Sequence, residues 1–167
     1  MEFSVFLSDV SNSTQRFFVQ PNVFQFRNMG EAEYFGTEFG VRTSLTPSLM
    51  IFANYTYLNR ENISNPTVIF VDTPRHKIYS FATYRLFSRA TLSADVSYEA
   101  GRYYQNEGGT VGRASTFASV AISGTVRVYK QGEVRAGISN LFDRDYFLSD
   151  GYFDPGRMGY VNLRYRF

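Results

Sequence analysis

Apolar and polar side chains alternate with a period of two along most of the chain, and helical periodicity is hard to find. The clearest run is about 90–100. Ala90, Leu92, Ala94, Val96, Tyr98 and Ala100 hold one parity, and Thr91, Ser93, Asp95, Ser97 and Glu99 the other. Successive side chains of a strand point to opposite faces, so this run predicts a strand with one apolar and one polar face. Residues 116–128 repeat the pattern, with Ala118, Val120, Ile122, Gly124, Val126 and Val128 against Ser119, Ser123, Thr125 and Arg127. Val134, Ala136 and Ile138 then oppose Glu133, Arg135, Gly137 and Ser139. The last strand sets Val161, Leu163, Tyr165 and Phe167 against Tyr160, Asn162, Arg164 and Arg166. Earlier, Phe35, Phe39 and Val41 oppose Glu38 and Arg42.

Charge sharpens this picture. Glu38, Arg42, Lys77, Arg85, Asp95, Glu99, Arg127, Glu133, Arg135, Arg164 and Arg166 all fall on the polar parity of their strands. A charge facing lipid near the bilayer midplane costs about 2–4 kcal/mol, so a membrane-spanning strand must keep its ions on the other side. Arg127, Glu133, Arg135, Arg164 and Arg166 are accordingly expected to face a watery lumen. A soluble β-sandwich shows similar alternation with the faces swapped, and stands as an alternative. Two strands fit less cleanly. About 49–58 carries Met50 and Phe52 on the parity of Asn54 and Thr56, and about 76–86 carries Tyr79 and Phe81 on the polar side. Apolar groups pointing inward need something to pack on.

Connection lengths alternate. About eight strands are predicted, starting near 2–9, with the second at about 24–43 and its membrane part near 33–43. Ser44-Leu45-Thr46-Pro47, Phe87-Ser88-Arg89 and Lys130-Gln131-Gly132 are short, whereas 10–23, 59–73, 102–113 and 143–155 are long and polar. Outer-membrane barrels have short periplasmic turns and longer extracellular loops. The expected fold is therefore all-β, an antiparallel transmembrane β-barrel segment of about eight meandering strands with both ends periplasmic.

Composition agrees. Aromatic residues make up 18% of the 167 residues, yet mean hydropathy is −0.25. A strand half in lipid and half in water wants that mixture. There is no Cys, so no disulfide framework, zinc site or thiol nucleophile can be built. A net charge of +2 is too small to argue for nucleic acid. His76 is the sole histidine, and no nucleophile-elbow context accompanies it, which disfavours catalysis. It is expected to hydrogen-bond near a strand start. Asp143, Asp145, Asp150 and Asp154 share one loop, but their spacing does not match an EF-hand, and a solvated loop is the expectation. No metal, cofactor or catalytic residue is predicted. Met1-Glu2-Phe3-Ser4-Val5-Phe6 lacks the basic start and apolar stretch of a secretory signal, so a segment of a longer chain is expected.

Several motifs then point to one family. Asn140-Leu141-Phe142-Asp143, with Tyr146 three residues on, resembles the signature that ends the penultimate strand of TonB-dependent receptors. Pro155-Gly156-Arg157 is similar to the family's turn into the last strand, and Leu163-Arg164-Tyr165-Arg166-Phe167 to its terminus. Gly30 to Glu38, Asn54-Tyr55-Thr56-Tyr57 and Thr73-Pro74-Arg75-His76-Lys77 resemble further pieces in the same order. The resemblance implies that residues 1–167 are the C-terminal part of a 22-stranded barrel, without the plug domain and the N-terminal strands. It implies outer-membrane transport of iron chelates (siderophores) or similar nutrients in a Gram-negative bacterium, and no enzyme activity. The implied partners are outer-membrane lipid, the barrel assembly machinery, the TonB energy-coupling complex acting through the absent plug, and a ferric chelate. Leu163, Tyr165 and Phe167 resemble the assembly signal, with a plain interfacial role as the alternative. Asn140 to Asp143 are expected to be architectural, and Arg157 to form a rim ion pair or attract an anionic chelate. A complete small eight-stranded barrel with a structural or adhesion role remains the competing reading. In water, a barrel segment with two bare edges is expected to aggregate.

Overall fold

The computed structural model describes residues 1–21, 23–128 and 131–166. It contains fourteen strands: β1 (Glu2–Val10), β2 (Thr14–Gln20), β3 (Val23–Asn28), β4 (Ala32–Thr46), β5 (Leu49–Asn62), β6 (His76–Phe87), β7 (Ala90–Ala100), β8 (Tyr103–Gln105), β9 (Val111–Arg113), β10 (Phe117–Arg127), β11 (Gly132–Ser139), β12 (Phe147–Ser149), β13 (Tyr152–Phe153) and β14 (Met158–Tyr165). Eight form one antiparallel sheet in the order β1-β4-β5-β6-β7-β10-β11-β14. The other six are three small hairpins, β2–β3, β8–β9 and β12–β13. All three hairpins lie in the long connections, at one end of the sheet. The short turns at Thr46–Leu49, Phe87–Ala90 and after Arg127 lie at the other.

Cross-strand partners share a face, so the register reads out each face row by row. One row runs Ile51, Ala82, Ala94, Ile122, Ile138, Gly159. The next runs Leu49, Tyr84, Leu92, Gly124, Ala136, Val161. Neither carries a charge. Aromatic rings cluster toward both ends of this apolar face. Phe39, Tyr55, Ile78 and Tyr98 form a row on the loop side, with Phe35 and Tyr57 above it. Tyr84, Phe87 and Tyr165 lie toward the turns. Interfacial aromatic girdles bracketing an apolar band are what a membrane-spanning strand wall requires.

The opposite face carries the ions in register. Glu38, Thr56, Lys77, Glu99 and Phe117 form one row, and Arg42, Phe52, Phe81, Asp95 and Ala121 another. Arg85, Thr91, Thr125, Arg135 and Asn162 form a third, and Arg127, Glu133 and Arg164 a fourth. Every charged strand residue within these rows sits where the alternation puts it.

No second layer covers the apolar face. Among the described residues only Ala32, Phe70, Val71 and Phe117 are buried apolar groups, all toward the loop end. Val161 and Leu163 are 71% and 76% exposed, and Ile122 and Leu92 are exposed in mid-sheet. A soluble sandwich would bury this face under a second sheet, so that alternative fails. Nor do β1 and β14 pair with each other among the described residues; each is an edge. The sheet is an open wall rather than a closed small barrel.

One expectation needs correction. The strand drawn at 24–43 is two strands. Residues 23–28 fold back on β2, and the chain turns at Gly30, whose φ of 78° favours glycine, before β4 begins at Ala32. The long connections are where expected, and three of the four contain a hairpin.

Candidate functional site

At the loop end, backbone carbonyls of the 63–75 connection are held by arginines. Arg60 donates to the carbonyls of Phe70, Val71 and Thr73 at 3.5, 3.2 and 3.4 Å, and its guanidinium lies over the Phe70 ring. Phe70 also meets Tyr34 edge-on at 5.9 Å. Arg102 donates to the Asp72 carbonyl at 2.6 Å and pairs with Glu99, which also pairs with Lys77 at 3.5 Å. Tyr34 and Arg60 are cross-strand partners on the charged face, so this loop leans over that face. The pinned loop walls a cavity of 540 Å³ together with Leu58, Arg60, Arg75 and Tyr103.

The β2–β3 hairpin adds an aromatic pair with an arginine laid against it. Arg16 lies over the rings of Phe18 and Phe24, 5.1 and 5.6 Å from their centroids. It lines one recess with Tyr34, Phe70 and Asp72, and another with Gln105, Glu107 and Tyr152. Among the described residues no carboxylate pairs with it. Gln105 is buried, and its Oε1 has no hydrogen-bond partner among the described residues.

The last loop is closed by a hub. Asn140 and Asp143 take φ of 46° and 53°, a region Asn and Asp tolerate better than most side chains. Buried Asn140 donates to the Arg144 carbonyl at 2.9 Å and to Asp154 at 3.2 Å, and accepts from the Arg144 N–H. Asp154 also accepts from the Tyr146 hydroxyl at 2.6 Å and the Gly156 N–H at 3.1 Å. Asp143 accepts from the Arg157 N–H at 2.8 Å and pairs with its guanidinium at 3.9 Å. Tyr146 stacks on Phe117 at 3.8 Å. Pro155 and Gly156 complete the turn, Gly156 at a φ of 78°. Leu141 ties back through its N–H to the Val120 carbonyl, while Phe142 is exposed. Asn140, Asp143, Tyr146, Gly156 and Arg157, scattered over residues 140–157, are thus brought together. Asp154, considered from sequence only as one of four loop carboxylates, bonds Asn140, Tyr146 and Gly156.

Burial, with the Asp154 hydrogen bond, pushes the Tyr146 phenol up to about 12 from its ordinary 10.0. A raised phenol stabilises the fold fully below its unfolded value and loses that contribution as pH climbs through its folded one. The hub is therefore expected to hold to about pH 10 and to open toward pH 12. Difference absorbance of tyrosinate between wild type and Tyr146→Phe checks this; ionisation of Tyr146 near pH 10 contradicts it.

On the apolar face, Leu163 and Tyr165 project from the edge strand β14, where the Tyr165 hydroxyl donates to Gln131. Phe167 lies outside the described residues, as does Lys130 of the third short turn. His76 begins β6, and its Nδ1 lies 2.9 Å from the Tyr55 hydroxyl.

Residues 1–141 match one family model, that of the TonB dependent receptor-like β-barrel. The chain belongs to the TonB-dependent receptors. The hub and the last strand lie mostly beyond the matched residues, so the terminal motifs support the assignment separately. Curated relatives include an iron-regulated outer membrane virulence protein of Vibrio cholerae, 25% identical over 144 residues. A ferric enterobactin receptor of Pseudomonas aeruginosa is 25% identical over 163 residues. The alignments cover 81% and 84% of this chain but 22% of each relative. Among solved structures, the copper transporter OprC superposes with a TM-score of 0.82 at 20% identity, over 99% of this chain and 28% of that one. The ferric-catecholate import receptor Fiu of E. coli K12 does so with a TM-score of 0.76 at 20% identity, over 99% and 25%. These likenesses establish the fold. This TonB-dependent receptor chain is an outer-membrane protein, and its open sheet is one sector of a larger barrel.

Sequence reasoning missed Arg16, Arg60 and Arg102 as site residues. Arg60 and Arg102 act on backbone carbonyls, which carry no sequence signature. Arg16 sits in Gln15-Arg16-Phe17-Phe18, where the arginine beside two phenylalanines was the available signal.

Proposed function

We propose that this chain is the C-terminal barrel sector of a receptor that imports an iron chelate, such as a siderophore, or a similar nutrient across the outer membrane. The family assignment carries this reading, and the two-faced register supports it. The apolar face meets lipid, and Arg127, Glu133, Arg135, Arg164 and Arg166 face the lumen. The remaining strands and a plug domain come from sequence outside these residues, and the TonB complex acts on the receptor through that plug. The tied loops frame an outer vestibule. The chain breaks no bonds; it forms a wall and contributes to a binding mouth. Leu163, Tyr165 and Phe167 act during assembly, when the bare edge of β14 pairs with a strand of the assembly machinery. The alternative of a small closed barrel for adhesion draws no support from an open sheet.

Arg16 is the expected chelate contact from this chain. A guanidinium held against two aromatic rings presents a fixed charge to an anionic ligand. Arg16→Ala is expected to weaken ferric-chelate binding to outer membranes by about tenfold, corresponding to roughly 1.4 kcal/mol. The transport reading itself is tested by uptake of radioactive iron as ferric enterobactin, ferric pyoverdine or ferrichrome in iron-starved cells with and without the protein. Uptake of one chelate that needs both the protein and the proton-motive force supports it. Equal uptake of all three without the protein contradicts it.

A further inference from the structure

The apolar face is not evenly studded. A groove of 770 Å³ crosses it from β6 to β14, along the two rows that run from Ala82 to Gly159 and from Tyr84 to Val161. Ala94, Gly124, Ala136 and Gly159 supply its small side chains, and Leu92, Ile122 and Val161 its bulky ones. No charged residue lines it. Strands lie about 4.8 Å apart, so a groove across five of them is about 19 Å long.

Two of its glycines are not explained by the fold. Glycine in a strand interior is ordinarily required by a positive φ or by a neighbour that takes the place of its side chain. Gly36, Gly112 and Gly137 have such neighbours, because Phe6, Tyr104 and Tyr160 occupy the place of a Cβ. Gly124 and Gly159 have neither cause. Their φ is not positive. A Cβ at Gly124 meets only Leu92 Cδ2 at 3.7 Å, an ordinary contact, and one at Gly159 only the Gly137 carbonyl at 4.0 Å. Glycine weakens a strand relative to alanine, yet here the chain leaves the space empty. A strand glycine with open space above it marks the close approach of something else.

Depth and chemistry say what approaches. Val161 stands four residues from the turn-side ring of Tyr165, about 13 Å along the strand at roughly 3.3 Å per residue. At a tilt of about 40° that is about 10 Å of depth, inside the roughly 15 Å of one leaflet. The turn end is periplasmic, so the groove lies at the depth of that leaflet's acyl chains and is continuous with the lipid interface of the wall. Its lining offers an occupant little to hydrogen-bond. A second copy of the chain, packed groove on groove about a two-fold axis, would enclose a void and lose dispersion contacts. A straight hydrocarbon chain fills the groove along its length.

We propose that this groove is a seat for one acyl chain of a glycerophospholipid of the periplasmic leaflet, held on Ala94, Gly124, Ala136 and Gly159 between Leu92, Ile122 and Val161. The seated lipid is distinct from the exchanging lipid that wets the rest of the face. The proposal rests on the wall lying in the outer membrane and is independent of which nutrient the receptor imports.

Lipid retention tests it. The receptor is extracted from outer membranes in mild detergent, and bound lipid is counted by native mass spectrometry. One diacyl phospholipid per chain is expected to stay bound. Gly124→Leu combined with Gly159→Leu fills the groove and is expected to cut retention about tenfold. Val120→Leu, on the same face one row toward the loops, is expected to keep it. Heat-dependent gel migration, unchanged in both, shows that the wall still forms. Independently of any variant, the wild-type receptor is placed in vesicles containing a phospholipid with a diazirine in one acyl chain. Adducts are expected to concentrate on β7, β10 and β11. Equal retention by the double Leu variant, adducts spread evenly over the apolar face, lipopolysaccharide retained in place of phospholipid, or a second copy of the chain bound there overturns the proposal. Retention lost on filling the groove in a receptor that imports no chelate supports the seat while counting against the transport reading.

Discussion

Ile122→Arg is expected to destabilise the protein in a bilayer by about 2–4 kcal/mol, whereas Ala121→Arg, one residue away, costs far less. Ile122 lies in the middle of the uncharged row between Ala94 and Ile138. A guanidinium there must displace acyl chains from its surroundings or snorkel past several residues to reach water. Ala121 points to the other face, directly opposite Asp95. An arginine at that position gains a cross-strand carboxylate and stays among polar groups. Urea unfolding of outer-membrane vesicles, followed by the heat-dependent shift in gel migration, measures both. Equal loss from the two variants would mean that the faces do not differ in solvent.

Removing the hub carboxylate is the second large effect. Asp154→Ala deletes acceptors for the Tyr146 hydroxyl, the Asn140 amide and the Gly156 N–H together. Hydrogen bonds to a charged group contribute about 1.5–3 kcal/mol each, but bonds converging on one group are not additive, so a local cost of about 2–4 kcal/mol is expected. The loss falls on the loop rather than the wall, because β11 and β14 keep their ladder from Gly132–Tyr165 to Ser139–Met158. Protease cleavage within 143–157 should therefore rise at least tenfold while the wall's heat-modifiable migration is kept. Asp154→Asn should be milder, since an amide oxygen still accepts from Tyr146. Cleavage unchanged in Asp154→Ala would show that the loop is held elsewhere.

Much of the wall is legible in the chain because strand alternation is a local property. From Ala90 to Ala100, each residue's face follows from its neighbours alone, and the register later places Asp95 and Glu99 on the charged side. The first hairpin was hidden because β2 mixes phenylalanines with arginine and glutamine on both parities, while β3 alternates and reads as the start of the strand that follows it. Residues 10–23 are legible as a polar connection and 24–43 as one strand, with no local reason for the break at Gly30. The hub was legible in kind but not in membership. Asn140 and Asp143 announce a turn through residue type, whereas the role of Asp154 depends on the chain returning to Asn140 across a separation of 14 positions. Arg60 and Arg102 were invisible for another reason: their partners are carbonyl groups, which every residue carries. The inward rings Phe52, Tyr79 and Phe81 were visible as misfits, and the structure gathers them into one patch instead of dispersing them.

The chain contains no cysteine, so spin labels can be attached one at a time from Ala118 to Arg127 without background. Paramagnetic relaxation by oxygen, which concentrates among acyl chains, against a water-soluble nickel complex reports which medium each label meets. Oxygen accessibility is expected to peak at Val120, Ile122, Gly124 and Val126 and to fall at Ser119, Ala121, Ser123 and Thr125. Oxygen maxima at the second set, or a profile without a period of two, would mean that lipid does not cover the apolar face and that this sheet is not a membrane wall.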